Sequence, residues 1–103
     1  MNKLEMKRDG RKIGLTLEGD FTASVVPELK PSLQKALQEG MMEVEFDFGK
    51  ITAIDSTGIG FLIATYNSLS KRDGTVRVVQ ASEDIFLLLQ SMRLEKRLCV
   101  SKR

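Results

Sequence analysis

Histidine is absent from this chain of 103 residues. That absence removes Ser-His-Asp and Cys-His catalysis, imidazole-ligated metals and phosphohistidine relays together. Tryptophan is also absent, tyrosine occurs once, and the one cysteine is Cys99. A single thiol forms no internal disulfide and no multi-cysteine metal site, and it fits a reducing compartment. No apolar run comes near the roughly 18 residues that span a bilayer, and the N-terminus lacks the apolar centre of a signal peptide. The expectation is one cytoplasmic domain over residues 1–103, without membrane insertion. Such a length closes one core but leaves little room for a buried multi-part active site with a lid. A non-enzymatic protein is therefore expected, with no cofactor and no metal.

Charge is present but segregated. The formal net charge is +2. Residues 1–12 are net basic, residues 13–57 are net acidic with Lys30, Lys35 and Lys50 as their cations, and residues 58–103 are net basic again. Nucleic-acid binders concentrate basic residues on one face beside aromatic or groove-reading elements. This chain has no basic helix and few exposed-type aromatics, so no nucleic-acid partner is expected.

The hydrophobic pattern alternates between two periods. Leu4 and Met6 alternate with Lys3, Glu5 and Lys7. Asp9-Gly10 is a hairpin signal, and Ile13, Leu15 and Leu17 then alternate with Gly14, Thr16 and Glu18. Val26, Leu29, Leu33 and Leu37 follow a helical spacing up to Gly40. That helix starts either at Ser24 as N-cap, which makes Pro31 a kink, or near Pro27, which puts both prolines close to the first turn. Val44, Phe46 and Phe48 alternate with Glu43, Glu45 and Asp47 in a strand. A helix over 59–71 is predicted to bury Ile59, Leu62, Ile63, Tyr66 and Leu69. After an Asp73-Gly74 turn, Val76 and Val78 mark another strand. Ser82 caps a third helix with a broad apolar face of Ile85, Phe86, Leu88, Leu89 and Met92. Residues 98–100 suit a short last strand.

The order β-β-α-β-α-β-α-β describes an α/β fold whose sheet is mostly parallel after a first antiparallel hairpin. Strands covered on both faces read as continuous apolar runs, whereas these alternate. Strands added successively, with right-handed crossovers, put the helices mainly on one face. Glu18, Glu43, Glu45, Asp47 and Arg77 are then expected on the wetter face.

The informative segment is Ile54-Asp55-Ser56-Thr57-Gly58-Ile59-Gly60. It stands between a strand and a helix, where open α/β sheets present functional groups. It lacks the third glycine of a dinucleotide fingerprint and the Gly-Lys-Ser/Thr of a P-loop. Ile54 occupies the first glycine position of a nucleophile elbow. An aspartic-protease signature fails because Thr57 intervenes before the glycine. Asp55-Ser56 reads simply as an N-cap pair easing a tight turn. A further reading is available: two hydroxyls and a carboxylate sit at a helix start, where backbone N–H groups and the dipole favour an added anion, and Gly58 and Gly60 clear the adjacent surface for another backbone. Phe61 falls outside the helix stripe, either exposed for docking or packed at the helix edge.

With the opening hairpin, Leu17-Glu18-Gly19-Asp20-Phe21 and Phe46-Asp47-Phe48, this segment resembles the STAS domain of anti-sigma-factor antagonists, whose pattern reads Asp-Ser-Ser/Thr-Gly-Leu/Ile-Gly. The resemblance covers nearly the whole chain and implies a successive sheet with helices largely on one side. It implies a partner switch: the unphosphorylated domain binds an anti-sigma factor that is also a serine kinase. Phosphorylation of Ser56, with Thr57 as alternative, releases that partner, and a phosphoserine phosphatase resets the domain. Asp20, Thr22, Asp55, Ser56, Thr57, Gly58, Gly60 and Phe61 are the implied partner-binding residues. Two departures stand out. Thr22 replaces the second acid of the family's Gly-Glu-Leu-Asp, and Arg93 replaces a glycine after the third helix. The alternatives are a STAS scaffold subunit of a lipid-transport ATPase and a partner switch acting on a target other than a sigma factor.

Overall fold

The computed structural model describes residues 3–103. Strands β1 (Lys3–Asp9) and β2 (Lys12–Phe21) form an antiparallel hairpin, and then follow α1 (Val26–Gln38), β3 (Glu43–Ile54), α2 (Ser56–Ser70), β4 (Thr75–Ala81), α3 (Glu83–Ser91) and β5 (Val100–Lys102). Asp9 pairs with Lys12, so the hairpin turn is Gly10-Arg11, with Gly10 at φ +62°. That backbone region suits glycine, which has no Cβ to clash. The five strands stand in the order β1-β2-β3-β4-β5, and every pairing after the hairpin is parallel.

The alternating pattern becomes one covered face and one open face. Ile13, Leu15, Leu17, Val44, Phe46, Phe48, Val76 and Val78 are buried. On the other face Glu43, Glu45 and Asp47 are half-buried, while Thr16, Glu18 and Arg77 are exposed. Lys12 lies between two of these acids, 4.0 Å from Glu43 and 3.5 Å from Glu45. The one-sided sheet expected from the alternation is the sheet observed.

Several local expectations need correction. Ser24 does not cap α1. Val25 holds the N-cap position without a side-chain bond, and the Thr22 carbonyl accepts both the Val25 and Val26 N–H groups at 3.0 Å. Pro27 therefore sits in the first turn and Pro31 lies inside the helix on its exposed side. Helix α2 starts at Ser56, three residues earlier than its apolar stripe suggests. Its buried residues are Gly58, Phe61, Leu62, Thr65 and Leu69, whereas Ile59, Ile63 and Tyr66 are only partly covered. The stripe is rotated so that Phe61 packs against Phe21 and Phe46 and Gly58 lies against Phe21.

In α3 Ser82 is the cap, its Oγ accepting the Ile85 N–H at 3.3 Å. The broad apolar face is only half used: Ile85 and Leu89 are buried, but Leu88 and Met92 are exposed. Arg93 leaves the helix at φ +60°, the conformation glycine would adopt more easily, and its N–H donates to the Gln90 carbonyl at 2.9 Å. The last strand begins at Val100, later than expected, because Leu94 and Leu98 are used to bury the preceding turn.

Candidate functional site

Strand β3 runs for 12 residues, well past Phe48, and carries the chain out to Ile54 beside the end of β2. The β2–β3 ladder shifts register between Thr16 and Glu18 and again between Gly19 and Asp20, where Gly19 has φ +101°. These irregularities bring Thr52 over the end of β2. Its hydroxyl donates to the Gly19 carbonyl at 3.3 Å and to Asp20 Oδ1 at 3.1 Å. Next in the rim, Thr22 Oγ1 and Ser24 Oγ are 2.8 Å apart.

Asp55 joins this rim to α2. It is the N-cap in extended conformation, and its Oδ1 accepts the Gly58 N–H at 2.9 Å. Its Oδ2 accepts the Ala23 N–H at 3.1 Å from the loop between β2 and α1. The Gly58 N–H first, and the Ala23 N–H second, hold the carboxyl below the usual carboxylate range against the opposing effect of desolvation. Asp55 is thus an ionised anchor whose two oxygens are both engaged, which is poor placement for a general base.

Ser56 occupies the first helical position. Ser56 and Thr57 are both exposed, and among the described residues no protein group bonds the hydroxyl of either. An anion added to Ser56 would sit at the positive end of the α2 dipole, near helix-start N–H groups that have no intrahelical acceptor.

The two glycines have different roles. Gly60 is exposed, and a Cβ there would meet nothing within 4 Å, so it leaves a bare surface as expected. Gly58 is buried and clears no outer surface. A Cβ on it would run into the Phe21 carbonyl oxygen and lie 2.9 Å from the Phe21 ring. The backbone that approaches Gly58 is the chain's own.

Phe61 is likewise corrected. It is 8% exposed and belongs to an aromatic cluster, with ring centroids 6.2 Å from Phe21 and 6.3 Å from Phe46. The side-chain ring is core, so of the two placements left open by the sequence Phe61 takes the packed one. The structure thus gathers Asp20, Thr22, Asp55, Ser56, Thr57 and Gly60 at the carboxyl ends of β2 and β3, with Gly58 and Phe61 supporting them from below. Thr52 and the Ala23 N–H belong to the same cluster and are additional to the sequence reading. The β-branched residues Ile51, Thr52 and Ile54 after Phe48 were the signal that the strand continues.

Among the described residues no group of three or more Asp, Glu or Cys is placed to hold a metal ion. No helix among them is long and apolar enough to cross a membrane.

A family model described as Mlab, STAS domain matches residues 4–100. An anti-sigma-B factor antagonist of Staphylococcus epidermidis is 31% identical over 67 residues, which is 65% of this chain and 62% of that relative. The matched region is thus under two thirds of the relative's own length. Bacillus SpoIIAA in its phosphorylated form superposes with a TM-score of 0.80 at 16% identity, covering 98% of this chain and 93% of the other. An anti-sigma factor antagonist from Mycobacterium paratuberculosis gives 0.84 at 16% identity, with coverage of 100% and 87%. At these identities the structural likeness concerns the fold.

Proposed function

The chain belongs to the STAS-domain family, and we propose that within it this protein is an anti-sigma factor antagonist that works as a phosphorylation-controlled partner switch. In this reading the unmodified domain binds an anti-sigma factor with serine-kinase activity. Phosphorylation of Ser56 breaks that complex, and a phosphoserine phosphatase restores it. The observation that carries the reading is the exposed Ser56 hydroxyl at the first position of α2, free of protein partners and next to a carboxylate already fixed by two backbone N–H groups.

The physical argument separates fold from interface. A phosphoryl group adds about −1.5 to −2 charges at pH 7. The start of α2 tolerates an anion, so the fold survives. A partner shaped to a neutral hydroxyl and to the bare surface at Gly60 must instead accept a desolvated dianion beside Asp55. An unpaired buried charge of that kind costs several kcal/mol, enough for about a hundredfold loss of affinity or more. The antagonist name of the Staphylococcus epidermidis relative supports the same reading.

A second reading is a STAS subunit that scaffolds a lipid-transport ATPase with Ser56 unmodified. The observation favouring it is that the matching family model is described by Mlab rather than as an antagonist. Affinity capture from the source cytoplasm with wild type and Ser56→Asp in parallel separates the two. Recovery of a kinase-like ATPase by wild type and its loss with Ser56→Asp supports the switch. Recovery of transporter subunits by both proteins supports the scaffold.

A further inference from the structure

At the far end of α2 from Ser56, the last turns of α1 and α2 enclose an open cleft of about 490 Å³ lined by Gln34, Leu37, Gln38, Ser68, Lys71 and Arg72. It continues toward Leu33, Phe61 and Thr65 as a narrow space of about 60 Å³ that shares Gln34, Leu37 and Ser68 with the first. The two make one furrow between the helices, running from Phe61 to Arg72 just past the end of α2, with about 14 Å of helix between Phe61 and Ser70 at 1.5 Å per residue. Lys30, Lys71 and Arg72 line it, and no carboxylate does.

These cations are not explained by pairing within the chain. Among the described residues the ion pairs join Arg8 to Glu39 and Lys12 to Glu43 and Glu45, and none reaches Lys30, Lys71 or Arg72. Arg72 Nη2 donates to the Leu37 carbonyl at 2.8 Å, while its Nε is buried and has no acceptor. Two helix-end carbonyls beside Arg72 are hydrogen-bonded within the chain. The Leu37 oxygen also accepts the Gly40 N–H at 3.2 Å, and the Leu69 oxygen accepts those of Arg72 at 3.0 Å and Gly74 at 2.7 Å. Lys30 and Lys71 are exposed, so together with Arg72 they give the furrow a positive lining open to a negatively charged partner.

We infer that this furrow docks an acidic peptide segment of a protein partner, with its carboxylates on Lys71, Arg72 and Lys30 and its backbone against the exposed Gln34, Gln38 and Ser68 side chains. The lining decides between an acidic peptide and a free phosphate. The cations do not converge on one point as a free phosphate would need: Lys30 lines one part of the furrow and Lys71 and Arg72 the other, which suits carboxylates spaced along an extended chain. The surface lies apart from Ser56 and its use does not depend on the phosphorylation state.

The test is a titration of the isotope-labelled full chain, followed by amide NMR, with a peptide of about twelve residues rich in Glu, long enough to fill the furrow. A counterpart with Gln in place of every Glu and inorganic phosphate are titrated in parallel. The expected result is a saturable set of shifts at Gln34, Gln38, Ser68 and Lys71 with the Glu peptide alone. Affinity should fall about tenfold in Lys71→Glu, and also in Lys30→Glu, because each replaces an attractive charge by a repulsive one. Ser56→Asp should bind the peptide as wild type does. No saturable shifts, equal shifts with the Gln peptide, shifts centred on residues 93–103, tighter binding of phosphate than of peptide, or indifference to both charge reversals overturns the proposal.

Discussion

Asp55 Oδ2 accepts the Ala23 N–H at 3.1 Å across 32 residues of sequence, so one carboxylate fastens the loop after β2 to the start of α2. The same group caps Gly58 through its other oxygen. The hydroxyl rim is therefore a single unit, because displacement of either segment removes a bond from the other.

This bond makes a pH prediction. The backbone N–H groups of Gly58 and Ala23 lower the Asp55 pKa in the folded chain from its ordinary 3.8. A depressed folded pKa gives stability that is present above the unfolded value and is lost as pH falls through the folded one. Wild type should therefore lose stability below about pH 4 more steeply than Asp55→Asn, which has no charge there to lose. Urea midpoints for both proteins from neutral to acid pH check this, and parallel curves would show that Asp55 has no part in the acid limb.

Gly58→Ala and Gly60→Ala should have opposite effects on stability. At Gly58 the added methyl must displace the Phe21 backbone, an overpacking cost of about 1–3 kcal/mol or more. At Gly60 it enters open space within a helix, where alanine is favoured by roughly 0.5–1 kcal/mol. Chemical denaturation of the two variants measures the difference, while Gly60→Ala should still weaken a partner that lies on the bare surface.

Phe61→Ala should behave as a core substitution. Its ring is packed between Phe21 and Phe46, so the loss should be about 3–5 kcal/mol, comparable with the range of about 2–5 kcal/mol for Leu62→Ala. A cost below about 1 kcal/mol, the ordinary effect at an exposed position, would return Phe61 to the surface.

If the proposed switch operates, Ser56→Asp should fold as wild type and lose the proposed kinase partner, whereas Ser56→Ala should bind persistently and resist modification. Mass-spectrometric phosphosite mapping after incubation with the cognate kinase and ATP distinguishes Ser56 from Thr57, the other exposed hydroxyl in the first turn. Wild-type phosphorylation of Ser56→Ala would move the site to another hydroxyl.

Much of the fold was readable because side-chain alternation reports burial directly. Val44, Phe46 and Phe48 against Glu43, Glu45 and Asp47 specify one covered face, and a covered face fixes where the helices pack. Helix ends were less readable. Ser24 has the chemistry of a cap but not its position, since the Thr22 carbonyl takes the first N–H groups of α1. Arg93 shows the converse case, in which the chain takes a left-handed exit without the glycine that would announce it.

The sequence alone determined the element order, the one-sided sheet and the place of Asp55 and Ser56 at a helix start, because periodicity and capping chemistry act over a few neighbouring residues. Only the tertiary structure decided that Thr52 meets Asp20, that Asp55 reaches Ala23, that Gly58 lies under Phe21 and that Phe61 faces inward. Each of these depends on the register of β3 against β2 and on the rotation of α2 about its axis. Both are set by packing between segments more than thirty residues apart, and no local pattern encodes them.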